Sequence, residues 1–451
     1  MSAPVALTAG HTLDEVARLG VPTMCGEPTW LTAVRRDATQ WVADHGFPTR
    51  KHEDWRYLDL EPLLGLPLSP AGWDGPLPAS GLAGLAIPDL GGHRLVMVNG
   101  RFAPELSRLG SLPPGTRVLP LGSAITDDSF VARRYWPAPG HKYLHAFEAL
   151  NAALAVDGCV VELGDGVSVA VPIEIAHIST TAEDAVVSSP RIVVFAGEGS
   201  SATVVETYIG TGEGVYVTNA HTGVVLGRGA RLEHYRLQGE SDRSFHLSTL
   251  DVRPGAESHF SSRLVAVGSR VARHEVHVRL EQEGATVDLD GLYLPSGEQC
   301  HDNPVRIEHV APLCTSHQLY KGIVDAAAHG IFNGHVIVHP GAVGTDAEQT
   351  NKNLLLSDLA EVDTRPRLEI FADEVSCTHG AAVGQLDTDA MFYLRSRGIP
   401  EWAARSLLIS GFARQVLERF VEGPIRERAE QLVTTHLQAV EGESGSSGGA
   451  R

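Results

Sequence analysis

GARLEHYRLQGESDRSFHLSTLDVRPGAESHFSSRLVAVGSRVARHEVHVRLEQEGATVDLDGLYL, running from Gly229 to Leu294, is the stretch that decides the fold. A Gly-Ala step precedes a short β-branched run at Gly229-Ala230, Gly255-Ala256 and Gly284-Ala285, and a looser Gly199-Ser200-Ser201-Ala202 lies upstream. The steps recur about every 26 to 30 residues, the period of stacked coils in a β-solenoid, where each coil buries its inward side chains only against its neighbours. Short irregular strands are equally compatible with a large sandwich or barrel, so the period alone leaves both open.

The same texture holds for roughly 220 residues from Cys159, with runs such as CVVEL, RIVVFAG, VYVTNAHTGVVLG and GIFNGHVIV and no long helical pattern between them. Before it, His11 to His45 is amphipathic and helical, with Pro22 and Pro28 interrupting. Gly65 to Gly92 reads as loop, His93 to Phe102 as strand and turn, and Leu144 to Ala155 as a short helix. After it, Asp387 or Thr388 caps a helix to Arg397, and Gly398 and Pro400 separate that helix from Glu401 to Val421. A third helix opens at Pro424 and runs to about Gln438. The expected units are a helical and mixed region at 1–158, a β core at 159–385, a helical region at 386–440 and a disordered tail at 441–451.

A formal charge of −19 over 451 residues argues against a nucleic-acid or anionic-membrane partner. Five scattered cysteines without a C-x-x-C pair argue against a disulfide framework or a self-contained zinc knuckle. The opening MSAPVALTAGHTLDEVARLG has no basic n-region or apolar h-region, and no apolar run reaches membrane-spanning length, so a cytoplasmic protein with reduced thiols is expected.

Several motifs dissolve in context. Gly197 to Ala202 fits G-x-G-x-x-A, but the following TVVETYIG is strand text, where a dinucleotide fingerprint needs a helix. His274-Glu275-Val276-His277 lacks the one-turn spacing of a zincin. No P-loop and no nucleophile elbow is present. Cys300 and Cys314 lie amid His301, His309, His317, His329, His335 and His339; bonding to neighbouring polar groups is preferred over a metal cluster. The strongest constellation is in RLEIFADEVSCTHGAAVGQLDTDAMFYLRSRG, from Arg367 to Gly398. Cys377 and His379, two apart on a strand, project from one face, and thiolate beside imidazole is ligand chemistry for thiophilic metals. Two ligands are an incomplete site. The Phe392, Tyr393, Leu394 stripe and the Ile409, Phe412, Val416 face could serve either core packing or docking.

CTSHQLYKGIVDAAAHGIFNG from Cys314, TDAEQTNKNLLLSDLAEVDTRPRLEIFADEVSCTHGAAVGQLD from Thr345, AMFYLRSRGI from Ala390 and RKHEDWRYLDL from Arg50 carry a resemblance to the SufB/SufD family of iron–sulfur cluster assembly proteins. The resemblance implies a right-handed parallel β-helix flanked by helical N- and C-terminal regions. Thr378-His379-Gly380-Ala381 stands where SufB-type chains carry E-H-E-A, and the Cys-Thr-His-Gly arrangement is similar to the SufD branch. That branch implies a non-catalytic scaffold subunit paired with a SufB-like chain. His379, and less strongly Cys377, would share a nascent iron–sulfur cluster with a cysteine and a glutamate of the partner. It also implies a SufC-like ABC-type ATPase bound by the C-terminal helices. Whether a flavin takes part is not readable from the sequence. Two other readings remain at this point: a stand-alone homodimeric metal-binding solenoid and, without a signal peptide to favour it, a β-helix enzyme acting on polysaccharides.

Overall fold

Between Gly158 and Gly384 the backbone alternates between two sheets, one of eleven strands and one of ten, so that each coil contributes a strand to each. The computed structural model describes residues 11–19, 27–70, 87–88, 90–126, 136–137, 140–180, 185–212 and 214–447. Arg231 lies beside Ser201 on one side and His259 on the other, and the strands from Gly158 to Gly384 pair with one another in parallel; among the described strands the antiparallel pairings are those of Arg101–Phe102 and Thr116–Pro120 at the N-terminal end. The register step from coil to coil matches the spacing of the Gly-Ala steps. The fold is therefore a parallel β-solenoid, and the antiparallel sandwich is excluded by strand direction.

The glycines of those steps answer two different demands. Gly229 and Gly284 turn the corner with φ of +64° and +72°, a left-handed conformation costly for any residue with a Cβ. Gly255 has no such φ, but a Cβ there would stand 2.5 Å from the Leu226 carbonyl oxygen of the preceding coil. The alanine that follows each is buried at the corner.

Inward positions stack into a lumen lined in part by apolar side chains, with Val161, Ile175, Val204, Leu232, Phe260 and Val287 in one cluster. Polar side chains share the same strands. Glu206, two residues beyond Val204, is fully buried, and its Oε1 accepts from Thr222 at 2.7 Å and lies 2.9 Å from His234 Nε2. Its Oε2 accepts from Arg236 Nη2 at 3.0 Å and from the Tyr208 hydroxyl at 2.8 Å. Burial pushes this carboxyl upward, but the Arg236 guanidinium and the His234 and Thr222 bonds outweigh it and hold it well below the usual carboxylate range.

The outer faces of both sheets are covered. Helices Leu13–Leu19, Thr29–His45 and Ala146–Leu154 pack with Trp55 on Val217, Phe245, Leu247 and Val271. In Thr29–His45 the apolar spacing Leu31, Val34, Ala38, Val42 sets the buried face. On the other sheet Glu401–Leu417 and Pro424–Ser447 cover Val265, Val267, Leu292 and Ile323. The third C-terminal helix thus continues past Gln438, and residues 441–447, read as tail, are helical in backbone; 448–451 lie outside the described residues. The region before 159 is not only helical, because His93–Val98 joins the ten-stranded sheet parallel to Ile173–Thr180. Of the Gly65 to Gly92 loop, 71–86 and 89 lie outside the described residues.

The segment Glu53–Trp55 clamps the late coils from outside. Trp55 is buried with the Arg273 guanidinium 3.6 Å above its ring, and Arg273 is itself paired with Glu275 at 3.0 Å and with Asp302. Ahead of the tryptophan, Glu53 pairs with Arg365 at 2.7 Å and Asp54 with Arg367 at 3.2 Å, both on the last strand of the eleven-stranded sheet.

Replacing Glu206 with Ala strands Arg236 and His234 in the lumen and is expected to cost about 3–5 kcal/mol in denaturant unfolding. Because its folded carboxyl is depressed, the Glu206 contribution is complete above the ordinary carboxylate pKa and is lost as pH falls through and below it. Wild-type unfolding followed by circular dichroism should steepen in that acid range relative to Glu206→Gln; identical acid limbs would remove the network from the stability account. The clamp's ion pairs are solvent-exposed, so Glu53→Gln with Asp54→Asn should cost no more than about 1 kcal/mol per pair. It should nonetheless speed amide exchange in Glu361–Ile370, and unchanged exchange there would show that the clamp does not order the coil.

Candidate functional site

The two sheets end at Glu361–Ile370 and Ser376–Gly384, each hydrogen-bonded on one side only. No coil follows them, so inward residues that would be buried elsewhere are open here. Cys377 stacks on Ala347 and His379 on Gln349, both buried inward positions of the coil beneath. Cys377 and His379 therefore face the mouth of the lumen, and the facing strand places Thr364, Pro366, Leu368 and Ile370 above Phe332, Gly334, Val336 and Val338. Two residues along a strand span about 7 Å, a separation that two ligands of one cluster can bridge.

Cys377 is half-buried, packed with Val336, Val338, Ala347 and Leu368, whereas His379 is exposed. Burial, with the Asp346 carboxylate adding to it, raises the Cys377 thiol, which therefore keeps its proton at neutral pH. The layer under the histidine is polar: Gln349 donates to Gln318 Oε1 at 3.3 Å, while its own Oε1 has no partner. Among the described residues no three His, Cys, Asp or Glu side chains are grouped to hold a metal ion. Taken alone, the pair offers two side chains of ligand type and no third.

The other sequence candidates are dispersed. His301 bonds the Gly268 carbonyl, His309 Ser316, His317 Asp288, His329 Asp363, His335 Glu369 and His339 Glu308. Each histidine has a different neighbour. His274 is buried in the lumen beside His246, while His277, three positions on, points to the opposite face. Gly197 to Ala202 leads into the strand Ser201–Thr211 and no helix N-terminus.

On the C-terminal helices the apolar residues divide. Ile409 and Val416 are buried, and Phe412 packs beside them on the solenoid wall. Lys321 fixes this helix by donating to the Phe412 carbonyl at 2.6 Å and to Gln415 at 2.8 Å. The docking role expected of Ile409, Phe412 and Val416 thus meets a physical obstacle: that face is occupied by the protein's own sheet. Phe392 (75% exposed) and Tyr393 remain open on Thr388–Ser396, with Leu394 half-buried; Trp402 (70% exposed) and Leu407, which the sequence reading passed over, are open on the next helix. Asp387 caps the first of these helices by accepting from the Asp389 and Ala390 amides. No helix among the described residues is long and apolar enough to cross a membrane.

Sequence reasoning also missed the facing residues Thr364 to Ile370 and the clamp from Glu53 and Asp54. The signal for the first was the one-coil offset itself, since Leu368 and Cys377 lie one repeat beyond Val336 and Ala347.

The family model described as SUF system FeS cluster assembly, SufBD core domain, matches residues 177–412, and the model of the SufBD protein N-terminal region matches 25–175. A SufBD family iron–sulfur cluster assembly protein of Synechocystis is 30% identical over 424 residues, covering 90% of this chain and 91% of its own. The iron–sulfur cluster assembly protein SufD of Escherichia coli is 33% identical over 388 residues, 85% of this chain and 88% of its own. SufD of Bacillus subtilis is 28% identical over 315 residues, 69% and 71% of the two chains. With both its N-terminal region and its solenoid matched, the chain belongs to the SufBD family of the SUF iron–sulfur cluster assembly system.

Proposed function

We propose that this chain is the SufD-like, non-catalytic subunit of an assembly scaffold, and that its open solenoid end is completed by a SufB-like chain. The observation that carries the reading is the placement of Cys377 and His379 on the last strand, facing into a lumen that nothing caps. Unpaired edge strands and the exposed Ile370, Phe371 and Val383 are what a second sheet edge would cover. The nascent cluster is the cargo of this junction. His379 supplies an imidazole nitrogen and Cys377 a thiolate once metal displaces its proton, with the partner's cysteine and glutamate filling the set.

A SufC-like ATPase docks, on this reading, through the exposed aromatic residues Phe392, Tyr393 and Trp402, while Ile409, Phe412 and Val416 hold the helix in place for it. Aromatic side chains with large exposed area are the anchors such contacts use. The absent P-loop fits a division of labour in which the partner hydrolyses the nucleotide.

His379→Ala should abolish cluster formation in the co-expressed complex, read anaerobically by its charge-transfer absorption, while the subunits still co-purify. Normal yield would end the role, and Cys377→Ala is expected to have the smaller effect. Phe392→Ala with Trp402→Ala should release the ATPase without moving the thermal midpoint. Val416→Ala should instead cost roughly 1–3 kcal/mol of stability by hollowing the helix–sheet contact. Retention of the ATPase by the aromatic double variant would transfer docking elsewhere. A homodimer by mass in the presence of a SufB-like chain would favour a stand-alone metal store.

A further inference from the structure

Away from the open end, three buried polar side chains converge on the outer face of the eleven-stranded sheet, each with a nitrogen left unbonded among the described residues. Arg191 begins the strand Arg191–Ala196 and is in register with His221 of Tyr216–Leu226. Trp136 covers the arginine, its ring centre 4.9 Å from the guanidinium carbon. All three side chains are more than nine-tenths buried and line one pocket of about 240 Å3. Arg191 Nη1 donates to Asn151 Oδ1 at 2.9 Å. Its Nε, Trp136 Nε1 and His221 Nδ1 have no hydrogen-bond partner among the described residues.

Two carboxylates share the pocket and are committed elsewhere. Glu148 lies 3.4 Å from His141 and accepts from the Leu144 amide at 2.8 Å, and Asp251 lies 3.7 Å from Arg253. Among the described residues no carboxylate stands within ion-pair distance of Arg191. Burial lowers its guanidinium to about 10, which still leaves it charged at neutral pH. Guanidinium and indole N–H groups only donate, so the unpaired donors of the pocket call for an acceptor, and although Glu148 and Asp251 act on Arg191 through space neither touches it. With Nη1 taken by Asn151, the free Nε edge of the fork is the geometry that a planar carboxylate accepts side-on.

We propose that this pocket binds a small organic carboxylate, held by the Nε edge of Arg191 with Trp136 and His221 completing its contacts. Arg253 is paired with Asp251 and Glu148 sits against His141, so Arg191 is the cation of the pocket without a carboxylate in contact. His141, Glu148, Asp251 and Arg253 also line an adjoining groove of about 380 Å3, in which Arg279 and Arg306 are paired with Glu281 and Glu308 and where a polar remainder of the ligand would lie.

The test is calorimetric titration of the full chain with acetate, succinate, inorganic phosphate and chloride at constant ionic strength. The two carboxylates should bind saturably, one per chain. Trp136→Phe, which keeps the ring and removes the donor, should weaken them about tenfold. Arg191→Lys, checked for folding by circular dichroism, should lose the preference for carboxylate over chloride; if that variant does not fold, Trp136→Phe decides. No saturable carboxylate binding, or binding unchanged in Trp136→Phe, would overturn the site. Binding of phosphate alone would overturn the assignment of ligand class.

Discussion

A coil of this solenoid cannot bury its inward face by itself; it does so only because the next coil lies on it, one ladder of backbone hydrogen bonds away. Everything else in the molecule follows from that dependence. It fixes the register that stacks Leu289, Gln318, Gln349 and His379 in a column, and the corner glycines that let successive coils approach. It also leaves the final coil at Glu361–Gly384 with inward residues that have a floor and no roof.

The helical layers respond to a related demand. Both sheets are apolar on their outer faces as well as inside, so helices before and after the solenoid cover one sheet each. This cover stops short of the last strands. The N-terminal clamp reaches Arg365 and Arg367 by exposed ion pairs, which orient the coil without sealing it. The result is a solenoid with one uncapped end. Cys377 and His379 sit there, on a strand anchored to the coil beneath.

Much of this was legible in the sequence, for physical reasons that differ by element. The Gly-Ala steps announce the coil because a corner admits few residues, and the cap at Asp387 announces a helix because orphan amides need an acceptor. The lumen network was not legible. In ATVVETYIG and ARLEHYRLQ, a charged residue at alternate positions looks solvent-facing, yet Glu206, His234 and Arg236 point inward because the other face is also buried. For the same reason the apolar spacing of Ile409, Phe412 and Val416 could not say whether core or partner would claim it. Cys377 and His379 could be placed on one face from their spacing. That this face is the inside of an open coil needed the register.

The central claim is that the terminal coil is completed by a second chain. Amide hydrogen exchange of Ser376–Gly384, measured for the chain alone and after addition of a SufB-like subunit, tests it most directly. The account predicts fast exchange of the outer-edge amides alone and strong slowing in the complex, with the interior coils unchanged. A stable complex in which Ser376–Gly384 exchanges as fast as in the free chain would contradict it.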